Sequence, residues 1–309
     1  MLKDNLLLKT SRILHMSPRR LRQTVVGYAF ISPGIFGITC FLLGPMIFSL
    51  WLCLTKWDIV TPPQFVGLQN FQTMLRGDEF FWLSLWVTLK YTIVAVPLNL
   101  VAAFAVALLL NANVKGMPIF RTLYYLPSIT PAVASVMLWR WIFNTDFGLL
   151  NLLFQTLGLP KIHWLFDPGW VMPALWLMGL WGVGPTAIIY LAGLQGVPRQ
   201  LYEAAEIDGA NGWSKFWNVT MPMMSPVIFF NLVMGIIGTF QVFTAGYLMT
   251  GGGPQNSTLF YVLYTFRNAF QWLKMGYAAA LAWVLFLIIL VLTVLVFRSM
   301  GSRVFYGEA

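Results

Sequence analysis

Charged residues are scarce in this sequence. Asp, Glu, Lys and Arg make up 9% of its 309 residues, whereas hydrophobic residues make up 59%. A soluble domain carries about 25% charged residues. The deficit is too large for a surface that faces water on every side, so the composition predicts one membrane domain whose surface faces lipid.

Cysteine is also rare, and the two residues present, Cys40 and Cys53, lie in the same apolar run. On one helix, at 1.5 Å rise per residue, they are separated by roughly 20 Å. The Cα atoms of a disulfide lie about 4.4 to 6.8 Å apart. A disulfide between them is therefore excluded, and the pair gives no information on the redox compartment.

Six apolar runs are long enough to cross a bilayer, which takes about 20 residues. They predict an all-α, polytopic membrane protein with six transmembrane helices, at 25–54, 85–111, 122–142, 170–194, 222–250 and 277–297. The first run is too long for the core of a signal peptide, which is about 7 to 15 residues, so it is a retained anchor. We expect one six-helix transmembrane domain at 25–298, between tails at 1–24 and 299–309.

Proline occurs inside several of these runs, including Pro131 in the third. Membrane helices tolerate proline because neighbouring helices, hydroxyl groups or waters satisfy the freed carbonyls. The third run is therefore expected to be one span despite Pro131.

The positions of Lys and Arg predict the orientation. With the N-terminus inside, twelve of the 19 basic residues fall on inner segments and seven on outer segments or outer helix ends. This bias places both termini in the cytoplasm. It also accounts for the formal charge of +9 without nucleic acid, because no extended basic domain is present.

Acidic residues are absent from all six predicted spans. Proton-coupled carriers usually keep an ionisable residue at membrane depth, so this absence disfavours proton coupling, although sodium coupling through backbone carbonyls stays open. The sequence also lacks a G-x-x-x-x-G-K-[ST] phosphate loop, which excludes ATP hydrolysis by that route. A transporter without either device needs an external motor, and a carrier or channel that works without an ATPase is the alternative.

The inner segment at 195–221 is polar and unusually long. Pro198 suits the first turn of a helix, and Gly209 suits the position just after a helix end. The sequence predicts a helix between them, with Glu203 and Glu206 on one side, where they could meet Arg or Lys of a partner. Leu201, Ala204, Ala205 and Asp208 fall at helical spacing on the other side.

A second short helix is predicted at 213–218, before Pro222 opens the fifth span. Trp213, Phe216 and Trp217 give it an aromatic ridge. Spacing alone leaves two interpretations open, docking on a partner and anchoring in the lipid interface.

This segment contains, in order, Glu203-Ala204-Ala205, Asp208-Gly209-Ala210, and then Phe216, Val219 and Pro222. That order and spacing resemble the EAA loop of ABC importer permeases, in which Glu-Ala-Ala is followed by three residues, Gly, nine residues and Ile-x-Leu-Pro. Val219 and Met221 replace the usual Ile and Leu, and both are apolar swaps of similar volume. Further segments resemble carbohydrate-uptake permeases of the maltose- and glycerol-phosphate-transporter type: 32–34, 65–71, 191–195 and 250–254.

The resemblance implies a type I importer permease in a bacterial inner membrane, not itself an enzyme. The implied partners are a second homologous permease, a cytoplasmic ATPase dimer that binds ATP and Mg, and an extracytoplasmic solute-binding protein. This chain itself would hold no cofactor. The implied ATPase-coupling residues are Glu203, Ala204, Ala205, Asp208, Gly209, Ala210, Phe216 and Pro222.

A sugar or oligosaccharide is the substrate class that the resemblance implies. Uncharged sugars need hydrogen-bonding groups and aromatic faces, and a break in the fourth span at 181–186 would expose carbonyls. The candidate substrate-path residues are Trp181, Gly182, Thr186, Asn231, Gly235, Thr239 and Gln241. Small and polar residues also serve helix packing in membranes, which is the alternative role for each.

No basic residue lies in the middle of a predicted span, which favours a neutral substrate over a polyol phosphate. An acidic saccharide stays possible if a partner supplies positive charge. His15 and His163 have no Cys, Asp or Glu at ligand spacing, so we expect no metal site.

Overall fold

The computed structural model describes residues 18–112 and 114–301. Helix α1, Pro18–Gly37, continues through a π-helical turn, Ile38–Leu43, into α2, Gly44–Leu52. The wider turn precedes Pro45, which has no N–H to give the helix. Expectations for the outer parts of both tails, including His15, lie outside the described residues.

The other elements confirm the all-α prediction. A two-stranded antiparallel ribbon, β1 (Thr55–Lys56) and β2 (Gln64–Phe65), pairs Thr55 with Phe65. The remaining helices are α3 Gln69–Arg76, α4 Glu79–Leu110, α5 Met117–Ile129, α6 Ala132–Ile142, α7 Leu149–Thr156, α8 Val171–Trp181, α9 Gly184–Gln195, α10 Arg199–Ile207, α11 Gly212–Lys215, α12 Met221–Phe240, α13 Tyr261–Phe266 and α14 Met275–Met300. Three more π-helical turns are at Phe216–Thr220, Gly246–Thr250 and Arg267–Gln271.

Four continuous helices in the described part of the chain are long and apolar enough to cross a membrane: Arg22–Leu52, Glu79–Leu110, Gly212–Phe240 and Met275–Met300. The pair α8 and α9, bent by 49°, can form a fifth span. The count of six spans therefore stays a prediction.

The predicted third span is wrong as a single helix. Helix α5 ends at Ile129 and α6 begins at Ala132, with Thr130 at ψ 129° and Pro131 at ψ 137° between them. A residue before proline is pushed out of the helical region because the proline ring crowds its backbone. Pro131 thus breaks this segment instead of being tolerated inside it.

The predicted fourth span contains the break that was expected at 181–186. Helix α8 ends at Trp181, and α9 restarts at Gly184 with proline in its first turn. A Cβ on Gly184 would lie 2.4 Å from the backbone oxygen of Tyr124. Only glycine allows α9 to approach α5 this closely, so the break is also a packing site.

The predicted fifth span has different ends. The helical piece expected at 213–218 is present, but it is continuous with the fifth span in one helix from Gly212 to Phe240. The expected continuation of this span to residue 250 is wrong, because the helix ends at Phe240. The π-helical turn at 216–220 lets the helix pass Pro222, which lacks the N–H for a regular turn. Ser225 Oγ donates to the Pro222 oxygen at 2.6 Å. This oxygen receives no helical bond from Pro226, four residues later, because proline has no N–H.

Two hydrophobic clusters hold the helices together. The larger one surrounds Tyr261, which is fully buried and donates its hydroxyl to the Leu281 oxygen at 2.9 Å. The smaller one surrounds Tyr190 of α9, whose ring lies 5.2 Å from that of Phe104. Helix α4 contributes to both clusters and so connects the two ends of the molecule.

Asp78 ties three elements together near the larger cluster. Its carboxylate accepts the hydroxyl of Tyr264 in α13 at 2.6 Å and that of Tyr277 in α14, and it caps α4 through the Phe81 N–H at 3.2 Å. Burial, followed by the bond to Asp78, raises the pKa of Tyr264. The phenol therefore stays a proton donor to the carboxylate at neutral pH.

Candidate functional site

Helix α10 begins and ends at the two residues that the sequence indicates. Pro198 is the N-cap residue, with extended backbone at ψ 128°, one position before the expected first turn. Gly209 has φ +76°, in the left-handed region. The Ala210 N–H donates to the Ala205 oxygen at 2.8 Å and the Gly209 N–H to the Glu206 oxygen at 3.0 Å. These two bonds form the Schellman motif that closes a helix.

Helix α10 has no buried residue and exposes most of its surface. None of its nine described residues is buried. Glu203, Ala204 and Asp208 are exposed, whereas Ala205 and Ala210 are half-buried. Ile207, at the end of the helix, is 87% exposed. A short helix with its carboxylate and an isoleucine in solvent has a free face on which another protein can dock.

Glu206 is held within the chain. Its Oε1 accepts a bond from Lys215 Nζ at 2.7 Å, and this bond lowers the pKa of the Glu206 carboxyl. Of the two carboxylates expected to meet a partner, Glu203 is exposed, whereas Glu206 is bonded to Lys215 of the same chain.

A second side-chain bond holds α10 against the Gly212–Phe240 helix, which also contains Lys215. The hydroxyls of Tyr202 and Thr220 lie 3.0 Å apart, and Thr220 is buried in the π-helical turn. The Tyr202 ring packs against the smaller hydrophobic cluster. Sequence reasoning missed Tyr202, Lys215 and Thr220, because the pairs are nine and 18 residues apart and match no helical spacing.

The aromatic ridge joins this region to α4. The Phe216 ring lies 6.2 Å from Phe104 of α4, is stacked on Trp213 at 6.0 Å, and meets Trp217 at 5.2 Å. Trp213 remains 71% exposed. Pro222 is half-buried in the first turn of α12. The eight residues predicted to couple to an ATPase thus lie on α10, on the turn after it and on the start of the Gly212–Phe240 helix.

The substrate-path candidates fall into two groups. Trp181, Gly182 and Thr186 lie at the break between α8 and α9, and the Trp181 ring contacts Trp139 at 6.1 Å. Gln241 follows the end of α12 and is exposed.

The other three candidates lie inside α12. Asn231 is 5% exposed and donates to the Val227 oxygen at 2.8 Å, and Thr239 donates to the Gly235 oxygen at 2.8 Å. A Cβ on Gly235 would meet Val96 of α4 at 3.4 Å. These contacts fit helix packing, which is the alternative role that the sequence left open for each of them.

No group of three or more His, Cys, Asp or Glu within residues 18–112 and 114–301 is placed to hold a metal ion.

The broken, apolar helices and the braced loop define a membrane-embedded transport subunit. Residues 95–302 match the family described as the binding-protein-dependent transport system inner membrane component, and the chain belongs to this family.

Named relatives and solved structures agree with this assignment. The chain is 43% identical over 289 residues to the probable ABC transporter permease protein YesP of Bacillus subtilis, covering 92% of this chain and 93% of YesP. It is 32% identical over 281 residues to the trehalose/maltose transport system permease protein MalF of Thermococcus litoralis, covering 90% and 94%.

A chain of the bacterial alginate ABC transporter, solved with an alginate pentasaccharide-bound periplasmic protein, superposes with a TM-score of 0.83. The two chains are 22% identical, and the match covers 94% of this chain and 99% of that one. The expected fold, that of a type I ABC importer permease, is confirmed by this match.

Proposed function

We propose that this chain is the permease subunit of an ABC importer that carries a sugar or oligosaccharide across the bacterial inner membrane. The family membership and the relatives named for sugar transport support the substrate class. The observation that carries the coupling role is α10, an exposed helix bonded by side chains to a membrane-spanning helix.

In the proposed mechanism, a cytoplasmic ATPase dimer docks on the segment from Pro198 to Pro222 and contacts Glu203. Closure of the dimer on ATP moves α10. The Glu206–Lys215 and Tyr202–Thr220 bonds then pass this movement to the Gly212–Phe240 helix. The membrane helices alternate between inward- and outward-facing states, because the nucleotide-bound dimer has different affinities for the two.

The ATPase supplies ATP and Mg in this mechanism, and the chain itself supplies no catalytic residue. We also propose that the docking segment is cytoplasmic and that, with six spans as predicted, both termini lie in the cytoplasm. Trp181, Gly182, Thr186 and the polar residues of α12 are proposed to contact the passing sugar.

The first span supports a second subunit. Only 6% of the apolar window of Arg22–Leu52 is buried in this chain. We propose that a second, homologous permease and the surrounding lipid cover it, and that a solute-binding protein delivers the sugar at the outer face.

Co-expression with the neighbouring transport genes tests the proposal. The chain is expected to co-purify with a second permease and an ATPase, and the reconstituted complex to take up saccharide only with ATP and the binding protein. A chain that transports solute alone in liposomes would instead establish a secondary carrier.

A further inference from the structure

A cavity of about 360 Å³, called the outer cavity below, lies at the opposite end of α12 from the docking segment. Arg140, Phe166, Tyr247, Thr250 and Gly251 are among the residues that line it. They come from α6, from the loop before α8 and from the turn after α12, so three separate segments meet there. Its volume falls in the range of small-molecule sites, about 300 to 1,000 Å³.

Arg140 gives this outer cavity a positive charge. It lies in the last turn of α6 and is exposed. Within the described residues it makes no ion pair, and it is the one charged residue among those that line the cavity. Among the described residues, the acids nearest in sequence to the lining residues, Asp146 and Asp167, form no ion pair with Arg140. The guanidinium is therefore free to bind an anion from outside the chain.

The other walls of the outer cavity offer ring faces. Phe166 is 74% exposed and Tyr247 39% exposed. The Tyr247 ring is stacked on Phe243 at 5.3 Å and meets Phe266 at 5.4 Å, so its position is fixed. Aromatic faces of this kind suit the apolar face of a sugar ring.

The polar groups around these rings already have partners. Thr250 Oγ1 lies 2.6 Å from Thr258 Oγ1, and the Gly251 oxygen accepts a bond from Arg267. Arg140 is thus the lining group best placed to select a ligand by charge.

We propose that the outer cavity is an entry subsite for an anionic saccharide, in which Arg140 binds a carboxylate and Tyr247 and Phe166 pack on the sugar. The inference rests on the proposed function and narrows its substrate class. It also revises the expectation of a neutral substrate, because the positive charge lies at the mouth of the path instead of in the middle of a span. Guanidinium binds carboxylate through paired hydrogen bonds, and a charge at a cavity mouth raises the local concentration of the opposite charge.

The Trp139–Trp181 ring contact, with centroids 6.1 Å apart, connects this region to the broken span. Trp139 precedes Arg140 on α6, and Trp181 is a substrate-path candidate. Helix α6 therefore carries both a lining residue of the outer cavity and a ring that contacts a candidate residue of the proposed path.

A phospholipid headgroup at the membrane surface also carries an anionic group that Arg140 could bind. The test uses the complete transporter with its binding protein in proteoliposomes of phosphatidylcholine, with and without phosphatidylglycerol. The probes are alginate trisaccharide, the same trisaccharide with its carboxyl groups reduced, and maltotriose. The variants are Arg140→Gln, Arg140→Lys and the control Arg76→Gln, which removes an exposed charge outside the cavity.

The expected result is uptake of alginate trisaccharide with a KM about tenfold higher in Arg140→Gln, in line with the loss of hydrogen bonds to a charged group. Arg140→Lys restores part of the affinity. Uptake of the reduced trisaccharide and of maltotriose stays unchanged, as do all three uptakes in Arg76→Gln.

Three results would overturn the inference alone: uptake of maltotriose without alginate trisaccharide, equal effects of Arg140→Gln on charged and reduced probes, or an effect that depends on phosphatidylglycerol and not on the carboxylate. The absence of ATP-dependent uptake of every saccharide that the binding protein binds would contradict the proposed function itself.

Discussion

Gly209 ends α10 in a conformation that other residues adopt at a cost. Its φ of +76° lies in the left-handed region, and an added Cβ would meet no atom within 4 Å. The requirement is therefore conformational and not one of space. This residue could be predicted from the sequence, because a glycine three residues after Glu206 is a common helix end.

Gly209→Ala is expected to loosen the end of α10. A left-handed alanine costs about 1 kcal/mol, so the amides of Gly209 and Ala210 should exchange hydrogen roughly fivefold faster. Gly212→Ala is the matched control, because Gly212 is exposed, has no left-handed φ and has open space around it. Equal exchange rates in the two variants would show that the left-handed conformation is not needed.

The Glu206–Lys215 bond gives a prediction on pH. Lys215 lowers the pKa of Glu206 in the folded state. The bond is therefore complete above the ordinary glutamate pKa and is lost as pH falls through the lower, folded value. Infrared difference spectra of the Glu206 carboxyl should show titration at lower pH in the wild type than in Lys215→Met. Identical titration curves would argue against the bond.

Two elements differ from the sequence prediction, and both contain proline. The predicted third span breaks at Pro131, whereas the predicted fifth span passes Pro222 without a break. The difference lies in the surroundings. A π-helical turn accommodates Pro222, and Ser225 donates to the carbonyl that Pro226 leaves without a donor; neither could be recognised from residue type. The break at 181–186 could be predicted, since two glycines and a proline fall within these six residues.

Gly184 tests how the break between α8 and α9 is packed. Gly184→Ala places a methyl group against the Tyr124 backbone oxygen, which cannot move as a side chain does. Overpacking of this kind costs about 1 to 3 kcal/mol, so the melting temperature in nanodiscs should fall. Gly34→Ala in α1, with nothing within 4 Å of the added Cβ, is the control. A fall of equal size in both variants would contradict the close approach of α9 to α5.

At the scale of the whole molecule, the sequence predicts the fold class and helix α10 of the docking segment more firmly than it predicts the residues of the substrate path. Motif offsets within one segment find α10, because its residues are close in sequence. Other features depend on contacts between separate segments: the bonds of α10 to Thr220 and Lys215, the ring contact of Phe104 with Phe216, and the outer cavity. Such contacts leave no local spacing to read.

The same contacts order the molecule from one end to the other. The docking segment packs on the smaller cluster through Tyr202, and α4 runs through both clusters. The outer cavity lies beyond the far end of α12. Movement of α10 can thus reach the outer cavity through the long helix α4 and through the Gly212–Phe240 helix, to which α10 is bonded.

The most direct test of this account is ATP-driven uptake by the reconstituted complex carrying Glu203→Lys. Reversing the charge of the exposed coupling carboxylate should cut uptake by about tenfold or more, since unpaired charges at an interface are costly. Membrane insertion of Glu203→Lys should stay intact. The control is Asp146→Lys, which reverses the charge of an exposed residue outside the docking segment and should still bind the ATPase. Loss of uptake in Glu203→Lys with ATP hydrolysis retained is the predicted result, and wild-type uptake by that variant would contradict the coupling role of α10.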